Sequence, residues 1–235
     1  MLSMTGSHPT KTESEALFER YLVANAYVDW EFEPEIGGQP KHPDYLVRWQ
    51  GMELLFEVKE LRAKDAWHQN GSGYQIEYGD PCKGLRQEIN EARKKFKKLK
   101  DWCCSLVVRR IDDSRTMLEP TYVFGAMIGD LVFTGTYDAS VGMVAPDSLR
   151  AAFGGGGKML NPKTKRPQNT TVSSIIVLKR LGGQPRVVVC ENPFARIPLP
   201  RGVLCGALDE RWAYHAAPTR IFAGDKLEQI EQAEH

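Results

Sequence analysis

No apolar run in this chain reaches the ~18 residues that a membrane-crossing helix needs, so no such helix is expected. Cysteine is scarce and badly spaced for staples. Cys82, the adjacent Cys103 and Cys104, Cys190 and Cys205 form no CxxC, and no HxxxH occurs. A disulfide framework and a zinc module are thereby set aside, and the five thiols read as reduced, in a cytoplasmic protein. Excess charge of one sign is also missing. The formal net charge is +1, so any polyanion must be met by a local patch. G-x-S-x-G and G-x-G-x-x-G are absent, and no cysteine has a histidine nearby, which weakens nucleophilic-hydrolase and dinucleotide readings. G-G-G-G-K-M at 154–159 fails as a phosphate loop, with Ala152 where glycine and Met159 where serine or threonine would be needed. The opening M-L-S-M-T-G-S-H-P-T has no charged start followed by an apolar stretch, so residues 1–12 read as a loose leader. Without internal repeats or a separating linker, residues 13–235 read as one domain.

What the chain does have is ordinary globular substance: 42% hydrophobic and 26% charged residues in 235 positions. A helix is expected from about Glu13 to Tyr27, capped at Thr12 or Ser14, with Leu17, Phe18, Tyr21, Leu22 and Ala24 on its apolar side. V-D-W-E-F-E-P alternates like a strand that ends at Pro34. A second helix is expected over about 83–100. Leu85, Ile89, Ala92, Phe96 and Leu99 make its stripe, and Arg93, Lys94, Lys95, Lys97, Lys98 and Lys100 its solvated or phosphate-facing side. C-C-S-L-V-V-R-R-I follows as a buried strand. Residues 61–81 read as loop. Farther on, L-R-A-A-F reads as a short helix ending in four glycines. V-S-S-I-I-V-L-K-R and P-R-V-V-V-C-E form a hairpin around L-G-G-Q, and 192–200 reads as extended. The end, from about Leu208, reads as polar and partly helical.

The most informative stretch is P-D-Y-L-V-R-W-Q-G-M-E-L-L-F-E-V-K, Pro43 to Lys59. A two-residue turn at Gln50-Gly51 pairs Trp49 with Met52, Val47 with Leu54 and Tyr45 with Phe56 on one face, which Val58 continues. On the other face Arg48 meets Glu53, Leu46 meets Leu55, and Asp44 meets Glu57, with Lys59 just beyond. Directly opposed residues have Cβ atoms ~5 Å apart. Two carboxylates that close repel, and a divalent cation between them relieves the repulsion; hard oxygen ligands suit Mg²⁺.

These residues and their setting resemble the PD-(D/E)xK nuclease superfamily. Its restriction-endonuclease-like αβββαβ core, a mixed sheet flanked by helices, matches the α/β order read from 13–111. Residues 112–235 then add C-terminal strands and loops. The resemblance implies metal-dependent hydrolysis of a phosphodiester, in DNA rather than RNA, by an endonuclease. It assigns Asp44, Glu57 and the carbonyl of Val58 to one or two Mg²⁺ (or Mn²⁺) ions, and Lys59 to the attacking water or the phosphate. It also assigns Glu15 of the first helix to the metal, with Glu19, one turn on, as the other candidate.

Around that set, Lys158, Lys163, Lys165 and Arg166 make the most basic loop region and a candidate nucleic-acid clamp or an idle surface loop. Trp67, His68 and Tyr74 could stack on bases or cover the sheet edge. His42 reads as a loop histidine, and Arg86 and Gln87 as residues behind the site. Two other readings stay open: a non-catalytic nucleic-acid-binding module of the same fold, and an interaction protein of a defence or repair assembly whose nuclease is silent until a partner activates it; a homodimer or a protein partner also stays open.

Overall fold

The computed structural model describes residues 11–36, 42–62, 67–70, 73–76, 82–111, 118–145, 148, 150–161, 163–215 and 226–229. The first half runs α1 (Glu13–Ala24), β1 (Trp30–Phe32), β2 (Tyr45–Trp49), β3 (Met52–Leu61), β4 (Trp67–Asn70), β5 (Gly73–Ile76), α2 (Lys83–Phe96) and β6 (Cys103–Arg110). The second runs α3 (Pro120–Met127), β7 (Gly129–Thr134), β8 (Tyr137–Asp138), β9 (Met143–Val144), β10 (Arg150–Gly156), β11 (Val172–Leu181), β12 (Gln184–Glu191), β13 (Glu210–His215) and β14 (Lys226–Gln229). An eight-stranded mixed sheet in the order β1-β2-β3-β6-β11-β12-β13-β14 joins both halves. The parallel neighbours β3, β6 and β11 lie at its middle. Among the described residues, no helix is long and apolar enough to cross a membrane. The five cysteines are unbridged.

Helices cover the sheet on both faces, so its central strands are buried twice over. On one face α1 lays Leu17, Phe18, Tyr21 and Leu22 against Tyr45, Val47, Leu54, Phe56 and Val58. On the other, α2 and α3 lay Leu85, Ile89, Ala92, Phe96, Phe124 and Met127 against Leu46, Leu55, Leu106, Val108 and Ile175. A 12-residue helix with no basic residue in its last turn gains little from propensity alone. Its start is therefore pinned by a capping box: Glu15 N–H donates to Thr12 Oγ1 at 3.2 Å, and Thr12 N–H donates to Glu15 Oε2 at 2.5 Å.

The β2–β3 hairpin has the register expected from its sequence, Trp49–Met52 through Tyr45–Phe56. Gln50 (φ 47°) and Gly51 (φ 79°) both turn left-handed, the backbone that a tight two-residue hairpin requires. The β11–β12 hairpin repeats the device at Gly182-Gly183.

Three expectations are corrected. Residues 61–81 are not plain loop: β4 and β5 pair there, Trp67 with Ile76 and Gln69 with Tyr74. The segment R-A-A-F-G-G-G, 150–156, is not a helix but strand β10, paired with β7. The glycines serve close backbone approach, since a Cβ on Gly157 would lie 2.1 Å from the carbonyl carbon of Ile128. The C-terminal part is not helical where described: β13 and β14 extend the sheet. The buried Arg211 guanidinium of β13 donates to Glu191 Oε1 at 2.8 Å, Leu199 O at 3.3 Å, Pro200 O at 3.1 Å and Val203 O at 2.7 Å. It thereby clips the extended 192–200 stretch and the turn after it to the sheet.

Gly157→Ala is expected to cost about 1–3 kcal/mol, because the methyl group has no room and the β7–β10 ribbon must shift. Urea unfolding checks this; a midpoint unchanged from wild type contradicts the close approach.

Candidate active site at the end of the β2–β3 ladder

Pro43 has no N–H with which to continue a strand, and the β2–β3 pairing stops at Tyr45–Phe56. Val58, the next residue of β3 whose N–H faces β2, lies beyond that last pair. The Asp44 carboxylate takes that N–H, with Oδ2 accepting at 2.7 Å. One residue thus ends the ladder and anchors an acid at its end. In an antiparallel pair a residue's N–H and C=O point to the same side, so the Val58 carbonyl faces the Asp44 side as well.

Strand alternation puts Glu57 on the α2 face, next to Leu55, in full burial. An unpaired carboxylate there would be costly, and two ammonium groups meet it. Lys59 Nζ lies 2.6 Å from Glu57 Oε1. Lys95 Nζ, from α2, lies 2.6 Å from Oε1, 2.7 Å from Oε2 and 3.4 Å from Asp44 Oδ1. Both ammonium groups therefore meet at Oε1. The centre holds two negative and two positive charges and is open to solvent on the Lys59 side, where that side chain is 31% exposed.

Burial is the largest influence on Glu57. Together with the like charge of Asp44 it raises the pKa above the ordinary carboxylate value, against the pull of Lys59 and Lys95. For Lys59 burial pulls downward, but the charges of Glu57, Asp44 and Glu88 outweigh it and the pKa ends above the usual value. Glu88, half-buried on α2, is itself raised by burial in spite of Lys59.

The motif residues Asp44, Glu57, Val58 and Lys59 therefore converge. The α1 acids do not join them. Glu15 is engaged in the capping box, and Glu19 accepts from the Tyr45 hydroxyl at 3.0 Å and pairs with Lys11 at 2.6 Å. Tyr45 belongs to the α1 face, so both acids gather across the strand from Glu57. Among the described residues no group of three histidine, cysteine or acidic side chains converges as a metal cage. Glu60 points to the α1 side as alternation requires and accepts from Ser14 N–H at 3.1 Å.

The other candidates lie apart. Lys163, Lys165 and Arg166 are exposed on a turn organised by Asn161, whose Oδ1 accepts from the N–H groups of Lys163 (2.9 Å) and Thr164 (3.0 Å). Lys158 is half-buried, its N–H bonded to Ala126 O at 2.9 Å. Among the described residues no hydrogen bond or ion pair links these four to Asp44, Glu57 or Lys59. His42 Nδ1 accepts from Ile36 N–H at 3.2 Å, a structural role. Arg86 reaches Gly125 O and Asp130 and ties α2 to α3 and β7. Trp67, His68 and Tyr74 lie on β4 and β5.

Lys95 and Glu88 are the residues that sequence reasoning missed. Both fall just beside the apolar stripe, Glu88 before Ile89 and Lys95 before Phe96, seven residues apart and so on one side of the helix. No family model, curated protein or solved structure matches this chain.

Because the folded-state pKa of Glu57 is raised, its contribution to stability is full below the unfolded value of about 4.3 and declines as pH rises through the folded value. In EDTA, wild type is expected to lose stability relative to Glu57→Gln as pH rises above about 4.3. Urea unfolding at a series of pH values reads the gap; a gap that stays constant or moves the other way contradicts the raised pKa.

Proposed function

We propose that this chain is a divalent-metal-dependent nuclease of the restriction-endonuclease-like fold, acting on DNA. The observation that carries the proposal is the meeting of Asp44, Glu57 and Lys59 at the end of a broken strand ladder, in the order and setting that the PD-(D/E)xK resemblance implies. The αβββ–αβ order, with α1 and α2 on opposite faces of a mixed sheet, supports the same reading.

The donor set fits a hard cation. Two carboxylates and the Val58 carbonyl are all oxygen, and the two ammonium groups on Glu57 mark the spot as one that holds positive charge. Mg²⁺ is commonly held by one or two carboxylates while keeping several waters, so the lack of a third protein acid is compatible with it. When bound, Mg²⁺ or Mn²⁺ supplies Lewis-acid polarisation of the phosphoryl oxygen and acidifies a coordinated water.

The chain's own groups divide the remaining work. Asp44 is held rigid by Val58 N–H, and Glu57 by burial, so both present oxygens without reorganisation. Lys59, paired with Glu57 and partly exposed, is placed as a cation toward the phosphate oxygens. Its partial exposure leaves it free to reach an anion arriving from solvent.

The test is cleavage of supercoiled plasmid, linear duplex, single-stranded DNA and RNA with Mg²⁺, Mn²⁺ or EDTA. Metal-dependent DNA cleavage is expected, falling by ~10²-fold or more in both Asp44→Ala and Lys59→Ala. Cleavage that persists in EDTA, or that survives in both variants, rejects the site. A wild type that binds DNA in a salt-dependent way but cuts nothing favours the binding module.

A further inference from the structure

Five of the six basic residues at the end of α2 and just beyond it, Arg93, Lys94, Lys97, Lys98 and Lys100, are exposed. Lys95 turns inward. Its side chain is 22% exposed, and its ammonium lies on both oxygens of Glu57 and within 3.4 Å of Asp44. A lysine gives up hydration and rotamer freedom to be held this way, while on the same helix Lys94 simply pairs with Glu91 at the surface. Surface solvation therefore does not explain the position of Lys95; the two acids do.

We propose that Lys95 is a positioning residue that competes with a divalent cation for the Asp44–Glu57 carboxylates, and that metal entry swings its ammonium out toward the substrate phosphate. The inference rests on the nuclease reading. A hard cation ligated by these oxygens at about 2.1 Å lies inside the contact shell that Lys95 Nζ now fills. A single and a double positive charge that close repel strongly in a half-buried setting. Among the described residues Lys59 pairs with Glu57 and not with Asp44, so of the two ammonium groups only that of Lys95 spans both acids. The chemistry balances as a cation exchange: one ammonium leaves the carboxylate pair as one divalent ion enters, and no bond is broken. Lys95 is anchored one residue before the buried Phe96, so its flexible stem, not the helix, makes the movement. Metal affinity is thereby coupled to the presence of a polyanion, since phosphate gives the displaced ammonium a new partner.

Calorimetric titration of Mn²⁺ into the full chain at fixed ionic strength tests this without reference to activity. Lys95→Met, which keeps length and removes charge, is expected to bind Mn²⁺ at least about tenfold more tightly than wild type, with the gain lost in Lys95→Met/Asp44→Asn. Lys95→Gln is expected to shift affinity the same way and guards against a folding defect in the first variant, with circular dichroism reporting the fold of each. Asp44-dependent binding that is no tighter in either variant overturns the role of Lys95 while leaving the nuclease site standing. No Asp44-dependent Mn²⁺ binding in any of the proteins overturns the metal site itself, and this inference with it. In cleavage assays the Mg²⁺ concentration for half-maximal rate is expected to fall in Lys95→Met; a purely structural lysine would not move it in that direction.

Discussion

One fully buried carboxylate sets the terms for the rest of the site. Glu57 occupies an inward position of a central strand, beneath α2 and beside Leu55, where an isolated negative charge is strongly disfavoured. It persists because Lys59 and Lys95 meet it from two sides at 2.6 Å. Replacing one partner of such a group leaves the other uncompensated, so the centre stands or falls together. An apolar side chain of similar volume in that place would leave the fold as stable or more so.

The surrounding architecture serves that centre in an ordinary way. A sheet covered on both faces makes β3 rigid, and a rigid β3 fixes the alternation that sends Val58 to the α1 side and Glu57 and Lys59 to the α2 side. Pro43 ends the neighbouring strand at the one point where an acid on β2 can still cap a β3 amide. Parallel pairing of β3, β6 and β11 brings their C-terminal parts, with Lys59, Arg110 and Lys179, to the same end of the central strands. The C-terminal half contributes support. Arg211 clips 199–203, and Asp209 accepts from Val187 N–H at 2.8 Å and from the Tyr21 hydroxyl, which ties α1 to β12.

Legibility in the sequence followed the range of the interactions. The β2–β3 hairpin was readable to the residue, because period-two alternation and a glycine-bearing turn are local facts, and the β11–β12 hairpin was readable as two apolar strands about a Gly-Gly turn. The juxtaposition of Asp44, Glu57 and Lys59 followed from the same register. Strand β10 was misread because A-A-F looks helical by itself, and only pairing with β7 and the approach of Gly157 to Ile128 make it a strand. The C-terminal strands β13 and β14 lack strong alternation and depend on partners far away in the chain. Lys95 was hidden in a run of lysines: its charge matched its neighbours, and only the rotation of α2 over β3 distinguishes it. Glu15 has a second role that the sequence reading did not assign it. An acid three residues after Thr12 is equally a metal ligand or a capping partner by sequence, and the geometry here engages it in the cap.

The most direct measurement is a crystal structure grown with Mn²⁺, with the ion located by its anomalous scattering. The account expects an anomalous peak within ligating distance of Asp44, Glu57 and the Val58 carbonyl, with Lys95 Nζ withdrawn from both carboxylates. A structure with Mn²⁺ bound elsewhere and Lys95 still clasping Glu57 would contradict it.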